Sequence, residues 1–332
     1  MRFFERQDDA RRRTRRLLFA FALAVLLLVL AVNAGLALTW LAVWGWHQPG
    51  PLRYPAYFFH VNTGVTLFFV LGGWWIESSN LRGGGGEHFA RRAGAREARP
   101  DSSPEEQRFC NVVQELSIAA RMQPPQAMVV SRSAAINAFA AGWDEDDAVV
   151  AVTRDALELL TREEMQGLVA HELSHIREGD TRMNMHLAGM VAGLEMVFGL
   201  GQSMCERDEL GHLRITAIPG FAIEAVGWFG WLAGEGLKAA VSRQREFLAD
   251  ARAVQWTRSR DGLGGVLRKV LAQQRLPGGL TPNWHAGVTH MLLVGGTEGG
   301  RAAHWLDPHP TVERRIRRIY GRDMGPLPLQ TD

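Results

Sequence analysis

His171-Glu172-Leu173-Ser174-His175 is an H-E-x-x-H run. Histidines four positions apart on an α-helix project from one face, so both imidazoles can reach a single cation. Glu172, beside the first of them, is then placed to take a proton from water at the open position of a zinc ion. A short pattern with two free positions also arises by chance on polar helices, so its surroundings have to support it. Thr161 followed by Glu164 has the form of a capping box, in which a hydroxyl and a carboxylate each satisfy an orphan backbone N–H. Met165, Leu168, Val169, Leu173 and Ile176 then recur at helical spacing as an inward stripe, and Gly179-Asp180 marks a helix end. Glu163, Glu164, Arg177 and Glu178 make this helix amphipathic and too polar to cross a bilayer. An intramembrane protease of the site-2 type, whose motif lies in an apolar spanning helix, is therefore a poor fit.

A zinc hydrolase needs a third protein ligand. Ser242-Arg243-Gln244-Arg245-Glu246-Phe247-Leu248-Ala249-Asp250 places two carboxylates four apart, again on one helical face. Glu246 can ligate the metal, and Asp250 can accept the outer N–H of a ligand histidine and fix its tautomer. In isolation such a segment reads better as a solvated charged face, with Arg245 paired to its neighbours. Two such segments in one chain favour the metal site.

Together, H-E-L-S-H-I-x-x-G-D and S-R-x-R-E-x-x-A-D-A resemble the M48 family of membrane zinc metallopeptidases, which includes HtpX-like and CAAX-processing proteases. Asn137-Ala138-Phe139-Ala140-Ala141-Gly142 is similar to the family's N-A-F-A-x-G segment, and His309-Pro310-Thr311-Val312-Glu313-Arg314-Arg315-Ile316 to its H-P-x-x-x-x-R-I segment. The resemblance implies zinc held by His171, His175 and Glu246, with Glu172 as general base. It places His309 and Arg315 facing the site to stabilise the oxyanion, and a strand through Asn137, Phe139 and Ala140 beside the cleft. An extended peptide substrate could pair with backbone around Phe139 to Ala141 and residues 149–153, although an ordinary core strand is the equal alternative. The implied fold is mainly α with a small β-sheet (α+β), an integral membrane gluzincin-type protease with about four transmembrane helices. The sequence departs from the family pattern at Trp143 and the acidic Asp144-Glu145-Asp146-Asp147, which leaves substrate preference open.

The membrane reading rests on the residues themselves. The 332-residue chain can hold a catalytic domain plus anchors. Arg11-Arg12-Arg13-Thr14-Arg15-Arg16 precedes an apolar run from residue 17 to about 46, interrupted only by Asn33 and Thr39. A signal peptide shares the basic start, but this run stays apolar past any cleavage point near Ala34 and ends in Trp40, Trp44 and Trp46. A second run from about 54 to 76 can also span a ~30 Å hydrocarbon core. Arginines crowd before the first run and after the second, so both the N-terminus and the catalytic part are expected in the cytoplasm, at a bacterial inner membrane. Between the two halves of the zinc site lie two further apolar segments, 185–204 and 215–237. Glu195, Glu224 and Glu235 interrupt them, while Gly189-x-x-x-Gly193 and Gly230-x-x-x-Gly234 allow close helix approach. The resemblance implies a membrane hairpin there; small-residue helices inside a soluble domain are the competing reading.

The expected organisation is a basic cytoplasmic N-terminus (1–16), a transmembrane hairpin (17–80) and a glycine-rich polar linker (81–106). A first catalytic half with the H-E-x-x-H helix (107–184), a second apolar hairpin (185–238) and a second catalytic half (239–332) follow. A net charge of +2 carries no signature of nucleic-acid binding, and Cys110 and Cys205 make no disulfide framework. The arginine clusters can rest against anionic lipid or simply set topology. His60, His186, His212, His285, His290 and His304 have no ligand spacing. The expected function is a membrane-anchored, Zn2+-dependent endopeptidase acting on proteins or peptides, with misfolded membrane proteins as the implied substrates. A CAAX-type processing protease and a non-proteolytic zinc-binding scaffold are the alternatives. The intact Glu172 speaks against the scaffold, because a structural metal needs no base.

Overall fold

The structure is a computed structural model that describes residues 2–45, 53–132, 135–207, 211–276, 291–295 and 309–329. Trp46, His285, His290 and His304 lie outside the described residues. The described chain is mostly helical with one four-stranded sheet. Helices α1 (Arg2–Trp44) and α2 (Phe58–Arg92) are followed by β1 (Ala95–Glu97), α3 (Pro104–Ala120), β2 (Gln126–Val130), β3 (Ala138–Ala141) and β4 (Val149–Thr153). Then come α4 (Arg154–Leu159), α5 (Arg162–Arg177), α6 (Asp180–Cys205), α7 (Ala217–Thr257), α8 (Asp261–Gln274) and α9 (Val312–Tyr320). The chain divides into two compact units, residues 1–80 with 187–237 and residues 81–186 with 238–332.

The second unit carries the sheet, in the order β1-β2-β4-β3, with β2 and β4 parallel and the outer pairs antiparallel. β4 reads Val149-Val150-Ala151-Val152-Thr153 and is buried along its whole length. A continuous apolar strand of this kind belongs in the middle of a sheet covered on both faces. The core around it takes Phe109, Val112 and Leu116 from α3, Met165, Leu168 and Leu173 from α5, and Leu263, Val266 and Leu267 from α8. The capping box forms as expected: the Thr161 N–H donates to Glu164 Oε2 at 2.8 Å and the Glu164 N–H to Thr161 Oγ1 at 3.3 Å. Glu164 also accepts from the buried Lys269 Nζ at 2.8 Å, tying the start of α5 to α8. Gly167 makes that helix pair possible, since a β-carbon there would lie 2.1 Å from the Leu263 nitrogen.

One expectation about the linker fails. Residues 81–92 are the last part of α2, which kinks at Gly85 (φ 61°, ψ −162°), and β1 follows. Gly86 passes so close to the end of β3 that a β-carbon would lie 2.7 Å from the Ala141 carbonyl oxygen. These glycines serve close packing rather than a flexible tether.

Among the described residues, the helices of the first unit are segments of α1, α2, α6 and α7. Among the described residues, three helices are long and apolar enough to cross a membrane: Leu18–Trp44, Phe58–Arg92 and Asp180–Cys205. The fourth expected span is helical, as the first half of α7, but Glu224 and the glycines dilute its apolar character. Phe19, Phe68 and Trp75 expose most of their surface, as lipid-facing side chains do. Small residues let these helices approach closely. A β-carbon at Gly193 would lie 2.4 Å from the Val70 carbonyl oxygen, and one at Gly201 2.3 Å from the Glu224 nitrogen.

Candidate active site

Helix α5 presents His171 and His175 from one face, with ring centroids 4.8 Å apart and their Nε2 atoms 3.2 Å apart. α7 brings Glu246 to the same point: Oε2 lies 3.6 Å from His171 Nε2, and Oε1 lies 3.5 Å from His175 Nε2. Among the described residues, these three offer ligand atoms all within 4.8 Å of one another. Bonds of about 2.0–2.1 Å at tetrahedral angles would set donor atoms roughly 3.3 Å apart, which matches these separations. The outer nitrogens support the same conclusion. His171 Nδ1 is 3.1 Å from Asp250 Oδ1, and His175 Nδ1 is 3.0 Å from Asp180 Oδ2. With Nδ1 carrying the proton in each ring, both Nε2 lone pairs face one spot, an arrangement that suits a shared cation. The donor set, two imidazoles and a carboxylate, is one that suits zinc with a position left open.

Glu172 is buried beside this group, and among the described residues neither of its carboxylate oxygens has a hydrogen-bond partner. Burial pushes its pKa up, partly offset by His171 and His175. Burial also opposes a charged His171, but Asp250 and Glu246 outweigh it and bring this imidazole up to about 9. For Glu246 and Asp250 burial is outweighed by the Arg315 charge, which holds both carboxylates below their usual range, Glu246 well below. The cleft is lined by Ala140, Glu172, His175, Asn184, Arg245, Glu246 and Met291.

Asp250 lies where the spacing placed it, one helical turn beyond Glu246. Arg315 has partners other than those expected for it. Its Nε and Nη2 donate to the two Asp250 oxygens at 3.0 and 2.7 Å, and its Nη1 donates to the Leu293 carbonyl at 2.6 Å and lies 3.3 Å from Glu246 Oε2. The guanidinium is wholly buried behind the ligands, not among the residues lining the cleft. His309 is also buried, with Nδ1 3.7 Å from Glu246 Oε2.

The strand residues are placed differently from a simple peptide-binding edge. β4 pairs on both sides, with β2 and β3, so its backbone is committed within the sheet. β3 is an outer strand, yet Phe139 bridges Leu292 and the Leu293 N–H donates to the Ala138 carbonyl at 2.8 Å. Asn137 Nδ2 donates to the Val294 carbonyl at 2.9 Å, locking this short segment in place. Of the expected substrate strand, Ala140 reaches the cleft, while Asn137 and Phe139 are buried against residues 292–294. Gly142 ends β3 with φ 141°, and a β-carbon there would lie 2.8 Å from Ala148 Cα, which accounts for the glycine closing this motif. The acidic loop that follows is self-capped: Asp147 Oδ1 accepts from the Trp143 and Asp144 N–H groups at 2.7 and 2.8 Å.

A profile of peptidase family M48 matches residues 103–323. The chain belongs to peptidase family M48. Proteins named Protease HtpX homolog are similar to it. The one from Dictyoglomus turgidum is 34% identical over 224 residues, 65% of this chain and 68% of the relative. The one from Dictyoglomus thermophilum is 33% identical over 247 residues, covering 72% and 75%. The one from Ligilactobacillus salivarius is 29% identical over 231 residues, covering 68% and 75%. No solved structure matches. With its apolar helices, this M48 chain is an integral membrane protein and a metallopeptidase.

Asp180 and Arg245 had no assigned role in the sequence. Asp180 follows Gly179 and looks like part of a helix stop, and Arg245 looks like a surface partner of its neighbours. The available signal was symmetry: if one ligand histidine needs a carboxylate on Nδ1, so does the other.

Proposed function

We propose that this M48 peptidase is a zinc-dependent endopeptidase whose metal is held by His171, His175 and Glu246, with Glu172 as the general base. The observation that carries this reading is the convergence of three donor atoms beside a buried carboxylate that has no hydrogen-bond partner among the described residues. Zinc bound there would supply a Lewis acid that polarises the scissile carbonyl and acidifies water. Glu172 takes the proton from the attacking water and later delivers it to the departing amide nitrogen as the C–N bond breaks. Its burial suits both steps, because a raised pKa brings donor and acceptor forms closer in energy at neutral pH. His309 stands beside Glu246 and is the side chain we assign to the tetrahedral oxyanion. Arg315, committed to Asp250 and Glu246, holds the ligand set in register. An extended peptide would reach the cleft past Ala140 and Met291. The substrates we assign are misfolded membrane proteins, and the catalytic unit faces the cytoplasm by the distribution of arginines.

Metal content and cleavage of an unfolded protein, measured on detergent-purified enzyme, test the reading. Glu172→Gln keeps zinc and loses about 10²–10⁴-fold in turnover. Glu246→Ala loses zinc and activity together. Full activity in Glu172→Gln would sink the assignment.

A further inference from the structure

The two imidazoles are supported in the same way from opposite ends of the site. His171 Nδ1 meets Asp250, and Asp250 is gripped by Arg315 through two nitrogens. His175 Nδ1 meets Asp180 Oδ2 at 3.0 Å, and the other oxygen of Asp180 forms an ion pair with Arg245 Nη2. Asp180 and Arg245 are both buried. Asp180 is the first residue of α6, where a carboxylate is favoured by the unsatisfied N–H groups and the helix dipole. Arg245 immediately precedes Glu246 on α7, so the same helix brings a ligand and the clamp for a ligand's support.

We infer that Asp180, held by Arg245, is the positioning residue for His175: its Oδ2 fixes the Nδ1–H tautomer and the ring's rotation, so that Nε2 faces the metal. This inference rests on the reading of His171, His175 and Glu246 as a zinc site. A carboxylate on the outer nitrogen also makes the imidazole a more basic ligand. The Arg245 contact keeps Asp180 from turning toward solvent and compensates a charge that would otherwise be buried alone. Asp180 touches neither the substrate cleft nor the ligand nitrogen, so its action passes through His175. A neighbouring ion pair provides the control. Glu178 and Arg252 join the same turn between α5 and α6 to α7.

Metal-stripped wild type, Asp180→Ala, Asp180→Asn and Glu178→Ala are titrated with zinc against a chromophoric chelator and with cobalt(II) by its visible spectrum. Asp180→Ala weakens zinc binding about 10–100-fold and alters the cobalt spectrum. Asp180→Asn, which keeps an oxygen acceptor but loses the charge, falls between wild type and Asp180→Ala. Glu178→Ala keeps wild-type affinity and spectrum. Wild-type zinc affinity in Asp180→Ala overturns the inference, and so does an equal loss in Glu178→Ala, which would reduce Asp180 to a helix-docking contact. Should Asp180→Ala not fold, wild-type affinity in Asp180→Asn overturns it. A wild-type chain that takes up no zinc, or binds it as well after Glu246→Ala, instead overturns the zinc reading beneath it.

Discussion

At His171 the proton and the metal compete for one nitrogen pair. In the metal-free protein Asp250 and Glu246 outweigh the effect of burial and raise this imidazole to about 9, above its ordinary value of 6.5. At the proposed zinc site the metal has to displace that proton, so its apparent affinity should climb about tenfold per pH unit from pH 7 and level off near 9. Chelator competition across that range checks it; a flat profile would show that His171 is already neutral. The sign for stability runs the other way. A raised pKa contributes stability that is complete below about 6.5 and lost as pH rises through about 9, so the stripped protein should melt earlier at pH 9.5 than at pH 6.5. His309 can be separated from the ligands by a simpler comparison. His309→Ala should cut turnover about 10²–10³-fold, the loss typical of one oxyanion donor, with zinc content unchanged. Loss of zinc in that variant would make His309 a ligand instead.

Helix α5 shows how an element's packing holds its chemistry. Its capping box and Lys269 fix the first turn, and Gly167 lets it lie against α8 one turn before His171. A methyl group at Gly167 would strike backbone rather than a movable side chain, because Leu263 N and Gly262 C lie 2.1 and 2.5 Å from the β-carbon position. Gly167→Ala should therefore destabilise the fold by about 1–3 kcal/mol despite alanine's higher helix propensity. Gly83→Ala in α2 meets nothing within 4 Å and should be neutral or slightly stabilising. Thermal melts of the two variants in one detergent make the comparison, and equal melting temperatures would refute it. The α2 glycines show a related point. A glycine run signals backbone that can go where other residues cannot, and this is as compatible with tight helix packing as with a loose tether.

For the whole molecule, the ligand set constrains membrane topology. His175 and Glu246 lie together, so the chain between them must leave and return on one side of the bilayer. A lone crossing by α6 is impossible. The first half of α7 either crosses back or neither helix crosses. We favour the crossing hairpin, with the Glu224 region packed among the small residues of α6. Cys205, the last residue of α6, offers the test. In intact cells carrying Cys110→Ser, a membrane-impermeant maleimide should label Cys205 from outside, while Ser102→Cys on the catalytic unit labels only after permeabilisation. Labelling of both only after permeabilisation would place the hairpin on the cytoplasmic face.

Local chemistry along the chain was enough to single out the H-E-x-x-H helix, Glu246 and Asp250 as candidates and to mark the long apolar helices. Capping, helical spacing and apolar run length act within a few residues, and those signals survive in one dimension. Asp180 on His175, the commitment of Arg315 to Asp250 and Glu246, and the pairing of residues 292–293 with β3 joined partners far apart in sequence or across a helix break. The same holds for the glycines of α2, whose use depends on what packs beside them. Short-range pattern specifies which side chains are capable of the chemistry. Their partners are set by three-dimensional packing, because burial makes each charge stable only beside the particular opposite charge that the fold brings to it.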